Sequence, residues 1–261
     1  MRARGADPGH REVAAAVDLP GSATPVASLR DVVHAIGVVV PAHNEQAMIG
    51  GCLAAINAAA GQARSHGIAV CTVVVADDCT DATASVAQAN GALVVRLRSR
   101  RVGEVRDAGA RRVLRQYASV PANRLWLAHT DADSRVSPRW LLAQTRAARS
   151  GAQAFLGTVA LDPADPAFSD LHWRWVHQYA LAARVARTHG HVHGANFGVR
   201  ADAYLAAGGF AAKPLHEDRL LVQRLKDVGA VLAWIDDEPV CTSARLTSRT
   251  PGGVSADLRA L

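Results

Sequence analysis

Apolar positions along this chain fall into two rhythms that take turns. Residues 36–40, Ile-Gly-Val-Val-Val, are a continuous, largely β-branched run stopped by Pro41, the pattern of a strand covered on both faces. From 45 to 60 the rhythm becomes helical, with Met48, Ile49, Leu53 and Ile56 on one face and Gly61 as the expected stop. The alternation repeats as strand 70–75, helix 81–88 closing near Gly91, strand 92–97, helix 104–117 and strand 124–129. Strands separated by helices of this length pair in parallel through right-handed crossovers, which predicts a doubly wound α/β sheet. Beyond Pro138 the pattern gives a helix, a strand at 154–161, a Pro/Asp-rich break at 162–166 and an aromatic, histidine-rich helix at 168–189. Glycine joints follow at Gly190, Gly194, Gly198 and Gly208-Gly209.

With 49% of 261 residues hydrophobic and 20% charged, the chain can bury one α/β core, which excludes disorder as the main state and a disulfide scaffold. No apolar run reaches the roughly 18 residues that cross a bilayer. Residues 1–20 carry arginines without an apolar stretch, so a soluble, unexported, cytoplasmic protein is expected. Cys52, Cys71, Cys79 and Cys241 lack metal-binding spacing and read as reduced thiols. Charge changes the picture more. The formal net charge is +6, and with Lys213 and Lys226 the only lysines, 27 of the 29 basic residues are arginines, whose guanidinium forks grip phosphate. They lie scattered without interleaved aromatics, which favours an acidic or phosphorylated small substrate and argues against nucleic acid.

In open parallel sheets ligands sit beyond the carboxyl ends of strands, so polar residues there carry weight. Three strands end in such residues: Pro41-Ala-His-Asn-Glu45, Ala76-Asp-Asp-Cys-Thr-Asp81 and His129-Thr-Asp-Ala-Asp133. Neither Gly-x-Gly-x-x-Gly nor the P-loop pattern follows any of them, which disfavours a dinucleotide or P-loop site. Asp131 and Asp133 flank one residue, so in an extended segment their carboxylates project to one side, a geometry for a hard divalent cation such as Mg²⁺ or Mn²⁺. Asp77 is the expected acceptor for a base N–H or ribose hydroxyl, with Asp81 or Thr80 capping the next helix. Glu45 is placed in the first turn of its helix. Glu217-Asp218 precedes the apolar face of Leu220, Leu221, Leu225 and Val228, at a helix N-terminus where an anion is favoured.

The ordered set Val38-Val-Val-Pro-Ala-His-Asn-Glu45, Val75-Ala-Asp-Asp-Cys-Thr-Asp-Ala-Thr83, Asp131-Ala-Asp133 and Glu217-Asp218 resembles family 2 glycosyltransferases, over about residues 35 to 250. The resemblance implies a GT-A fold: a Rossmann-like, mostly parallel sheet flanked by helices, with a nucleotide-sugar-binding half at 35–135 and an acceptor half at 136–250. An arm at 1–34 and a tail at 251–261 would flank this one domain, with no room for membrane helices or a second catalytic module. It implies metal-dependent, inverting transfer of a sugar from a nucleoside-diphosphate sugar to an acceptor hydroxyl. Pro41, Asn44, Glu45, Asp77, Arg106 and Asp131 would then contact the donor, Asp131 and Asp133 the metal, and Asp218, with Glu217 beside it, would act as base.

His193 and Asn196, in the stretch His193-Gly-Ala-Asn-Phe-Gly-Val-Arg200, and Trp173 would face the acceptor. For the aromatic helix a core role competes with that one. His189, His191 and His193 read as a solvated loop rather than a metal site, and Arg245 and Arg249 as a possible phosphate clamp. The chain departs from the family where no Gln-x-x-Arg-Trp follows Asp218 and no histidine follows His216, which removes a processive synthase and a C-terminal histidine metal ligand. Competing readings are a retaining GT-A enzyme, a sugar-phosphate nucleotidyltransferase, which needs a Gly-rich basic loop after the first strand, and a nucleotide-sugar binder without turnover.

Overall fold

Val38, Val39 and Val40 lie at the centre of β1 (Ala35–Ala42), fully buried, as a β-branched run must be when both faces of its strand are covered. The structure, a computed structural model, describes residues 32–162, 169–185, 191–213 and 215–245, the side chains of 171 and 180–185 excepted. β1 pairs in parallel with β2 (Ala69–Asp77) on one side and β4 (Leu125–His129) on the other, and β2 pairs in parallel with β3 (Leu93–Leu97). The crossovers are α1 (Ile49–Ser65), α2 (Thr83–Ala89) and α3 (Val102–Gln116). A two-residue β5 (Ser134–Arg135), then α4 (Trp140–Arg149), β6 (Ala154–Leu161), α5 (Asp170–Val185), β7 (Phe197–Arg200), α6 (Ala201–Ala206), α7 (Glu217–Asp227) and β8 (Leu232–Thr242) complete the described chain.

The strand order is β3-β2-β1-β4-β7-β6-β8-β5. Ile36, Val38, Val40 and Trp126 face α1, α2 and α4, while Ala35, Val39, Val73 and Leu127 face α3, α6 and α7, so alternate residues of each strand feed two cores. A smaller cluster of Val159, Leu161, Trp175 and Ala195 lies under α5. The predicted mostly parallel α/β sheet is present, with β7 inserted antiparallel between β4 and β6.

Several local expectations are corrected. Helix α1 does not stop at Gly61 but runs through it to Ser65, because the chain turns at Gly67, whose φ of 76° suits glycine. Glu45 lies ahead of α1 rather than inside it, its carbonyl accepting the N–H groups of Met48 and Ile49. Helix α2 begins at Thr83, and Asp81 accepts the Thr83 N–H at 3.0 Å, an Asx-type contact just before the helix. Strand β8 carries no legible pattern because Gly157 of β6 pairs with Ile235 and Val159 with Val240, which leaves 236–239 looped out. Val33 is buried and the His34 N–H bonds the Arg124 carbonyl at 2.8 Å, so these two residues, expected in the arm, pack with the domain. Residues 1–31, 163–166, His189, Arg249 and the tail lie outside the described residues.

Candidate active site

The chain leaves β1 toward β2 and returns on the other side of β1 as β4, so the boundary between β1 and β4 is the switch point where ligands of such sheets bind. Their ladder ends at Val39↔His129, two residues before Pro41, and beyond it the strands part. Pro41 does not stop β1 as expected: the strand runs on to Ala42, with Pro41 paired to Val75 and Ala42 to Ala76 on the β2 side, past the point where the β4 ladder ends and the missing N–H of proline matters least. Asn44 then takes φ 51° and its side-chain oxygen accepts the Thr80 N–H at 2.7 Å, tying the end of β1 to the loop after β2. Asn44, Asp78 and His216 are three of four described non-glycine residues with positive φ, and all lie at strand or helix ends around this crevice, where backbone strain tends to collect.

Four acidic positions predicted for the site are brought together by two guanidinium groups. Arg106, almost wholly buried on α3, donates from Nη2 to Asp131 Oδ1 at 2.6 Å and from Nε to Glu217 Oε1 at 3.1 Å. Burial by itself would lower its pKa, but the carboxylates of Asp131, Glu217 and Asp218 raise it, so the group is held charged. Gly194 supplies the space: a Cβ there would lie 2.4 Å from Arg106 Nη2. Arg106 Nη1 is buried without a hydrogen-bond partner among the described residues. Burial raises the pKa of Glu217, against the opposing charge of Arg106.

Arg245, just beyond β8, binds Glu45 through two parallel bonds of 3.0 and 2.6 Å and reaches Asp133 Oδ2 at 2.8 Å. Burial and the neighbouring Asp131 charge push the Asp133 carboxyl up to about 6, with Arg245 pulling the other way. Asp131 meets its arginine through Oδ1 and Asp133 through Oδ2, so each carboxylate keeps one oxygen off the guanidinium groups. Among the described residues no three His, Cys, Asp or Glu side chains gather as a self-sufficient metal cage. Asp131-Ala-Asp133 is a turn, closed by the Ser134 N–H on the Asp131 carbonyl at 3.1 Å, rather than the extended segment expected, and two hard carboxylate oxygens on it fit an ion that draws the rest of its shell from diphosphate and water, as Mg²⁺ and Mn²⁺ do.

Asp218 stands in the first turn of α7, half-buried, with Oδ2 accepting the Gly194 N–H at 3.0 Å and Oδ1 the Arg219 N–H at 2.7 Å. Asp77, buried at the end of β2, accepts the N–H groups of Ser99 and Arg100 at 2.7 and 2.8 Å, so both its oxygens shape the loop after β3 while keeping further lone pairs. Asn196 has a different job from the one expected. It is fully buried, its oxygen accepting the Trp140 ring N–H at 2.8 Å and its amide donating to the Thr158 and Glu238 carbonyls at 2.8 and 3.0 Å, so it fastens the sheet instead of facing an acceptor. His193 meets the Tyr179 hydroxyl at 3.0 Å beside Gly194. Trp173 is 58% exposed on α5, whereas Trp175 is buried and stacks on Tyr179 at 4.7 Å. Arg245 joins the site by a contact that nothing near it in sequence announces; the spacing of Arg245 and Arg249 suggests only a phosphate clamp.

Residues 37–206 match the family described as glycosyl transferase family 2. The chain belongs to this family. A search of the curated proteins returns no match. Among solved structures, this family 2 chain is similar to glucosyl-3-phosphoglycerate synthase from Mycobacterium tuberculosis in complex with Mn²⁺, UDP-glucose and phosphoglyceric acid. That likeness has 18% identity and a TM-score of 0.53, covering 88% of this chain and 78% of the other. The mannosyltransferase PcManGT from Pyrobaculum calidifontis, in complex with GDP-Man and Mn²⁺, is similar at 18% identity and TM-score 0.57, over 82% of this chain and 57% of that one. S. aureus TarS 1-349 is similar at 15% identity and TM-score 0.56, over 81% and 60%. At these identities the likeness is one of fold. The family 2 glycosyltransferase has the GT-A architecture expected, and none of its described helices is long and apolar enough to cross a membrane.

Proposed function

We propose that this glycosyltransferase moves a sugar, with inversion, from a nucleoside-diphosphate sugar to an acceptor hydroxyl. The observation that carries this reading is the buried Arg106, which bonds Asp131 on the donor side and Glu217 next to Asp218 on the acceptor side. One rigid cation thus fixes the distance between the carboxylates suited to a metal-diphosphate and the carboxylate suited to a base. The neighbours solved with UDP-glucose or GDP-Man and Mn²⁺ support the donor class.

Pro41, Asn44, Glu45 and Asp77 line the crevice where base and ribose would lie, and Arg106 stands behind the phosphates. Asp131 and Asp133 would hold Mg²⁺ or Mn²⁺, which when bound offsets negative charge on the departing diphosphate. Asp218, at a helix N-terminus and aimed by the Gly194 amide, takes the proton of the acceptor hydroxyl as that oxygen bonds to the anomeric carbon. The bond from that carbon to the diphosphate breaks on the opposite face. Glu217 holds Arg106 rather than a proton in transit. His193 and Trp173 border the acceptor side, for a small or phosphorylated hydroxyl compound.

Calorimetric titration of UDP-, GDP- and TDP-sugars, with and without Mn²⁺, tests the donor class; binding by none of them rejects the reading. Asp218→Asn should bind donor as the wild type does while turnover falls by about 10²–10⁴-fold, the usual contribution of a positioned base. Unchanged turnover removes Asp218 from the mechanism, and product anomer by NMR reports inversion.

A further inference from the structure

The two arginines of the site are built differently. Arg106 has a side chain 3% exposed and is enclosed by α3, Gly194 and its two carboxylates, a permanent structural cation. Arg245 has a side chain 32% exposed and enters from the chain after β8. The three residues before it are anchored: Thr242 pairs with Ser134, the Ser243 N–H donates to the Asp133 carbonyl at 3.2 Å, and His172 Nε2 donates to the Ala244 carbonyl at 2.6 Å. The Ser169 N–H donates to His172 Nδ1 at 2.9 Å, which fixes the ring tautomer that makes the Ala244 bond. Of the three bonds made by the Arg245 side chain, two go to Glu45 and one to Asp133.

We infer that Arg245 is a placeholder cation: it occupies Asp133 while the donor site is empty, yields that carboxylate to a divalent ion, and turns the freed N–H onto a phosphate oxygen of the incoming nucleoside diphosphate. The inference rests on the donor reading above. Five carboxylates, Glu45, Asp131, Asp133, Glu217 and Asp218, stand here against two guanidinium groups, so the empty site needs a positive charge on Asp133 and would repel a diphosphate without more of it. The bidentate hold on Glu45 keeps the guanidinium in place when its single bond to Asp133 is given up, so the exchange displaces one hydrogen bond and leaves the C-terminal backbone anchored. Held there by Glu45, the guanidinium keeps its freed N–H beside a diphosphate whose metal ion Asp131 and Asp133 would hold.

Mn²⁺ binding followed by electron paramagnetic resonance on the full chain, without nucleotide, separates the two roles of the side chain. Arg245→Ala should bind Mn²⁺ about fivefold or more tightly than wild type, and then bind the nucleoside diphosphate about fivefold or more weakly in saturating Mn²⁺. Arg245→Lys, which keeps the charge but cannot span Glu45 and Asp133 together, should fall between the two in Mn²⁺ affinity, and circular dichroism confirms that each variant is folded. Mn²⁺ affinity unchanged or weakened in folded Arg245→Ala overturns the placeholder. Wild type that binds Mn²⁺ but no nucleoside diphosphate rejects the donor reading and the phosphate half of the inference, while tighter Mn²⁺ in the alanine variant would still support the exchange at Asp133.

Discussion

His129 ends β4 wholly buried, with ring centroids 5.9 and 5.0 Å from Phe197 and Phe210, and neither of its nitrogens has a hydrogen-bond partner among the described residues. Burial, with the nearby Arg106 charge, holds its pKa well below the ordinary 6.5. The unfolded chain therefore takes up a proton below pH about 6.5 that the folded chain refuses, and stability is lost as pH falls, by about 1.4 kcal/mol per unit for this one group until the folded pKa is reached. His129→Leu should remove one proton from that slope; urea unfolding of both proteins at several values between pH 5 and 7 measures it, and parallel slopes would mean the ring is charged in the fold. At this scale the acidic residues were legible, because carboxylates placed right after strands or at a helix start mark themselves by local position. The role of Asn196 was not: its partners are backbone groups 38 and 42 residues away and a Trp ring 56 away, so residue type suggested ligand contact where the fold uses it as a fastener.

Among elements, the junction of β6, β8 and α4 depends on that same Asn196. Gly157 makes room for it, since a Cβ there would lie 2.2 Å from its Nδ2. Asn196→Ala would strand the Trp140 N–H and the Thr158 and Glu238 carbonyls in the core, and each such orphan costs about 1–3 kcal/mol. A loss of about 3 kcal/mol or more in chemical denaturation is expected, with a loss under about 0.5 kcal/mol meaning that the sheet closes without it. The parallel half, β1 to β4 with its helices, was readable because buried β-branched runs and helical spacing are short-range signals. Strand β8 was not, since 236–239 loop out and interrupt any alternation, and the two- and four-residue strands β5 and β7 are too short to show a period.

For the molecule as a whole, binding and stability are linked. At about 100 times Kd a donor with Mn²⁺ stabilises by about 2.7 kcal/mol, which for a chain of this size raises Tm by roughly 5–10 °C. EDTA should remove most of that rise, and a Tm that is unmoved by chelation would mean that the donor binds without the ion. The surplus of arginine, first legible only as a net charge of +6, now has an address at two positions inside an acidic centre. The amino-acid sequence by itself determined the fold class and which strand ends carry carboxylates, since strand and helix periodicity and the chemistry of a strand terminus are written within a few consecutive residues. Only the tertiary structure decided which charge meets which: Arg106 finds Asp131 and Glu217 across 25 and 111 residues, and Arg245 finds Asp133 and Glu45 across 112 and 200. Such pairs depend on the order of strands in the sheet and on the depth of each side chain beneath its surface, and a linear pattern carries neither.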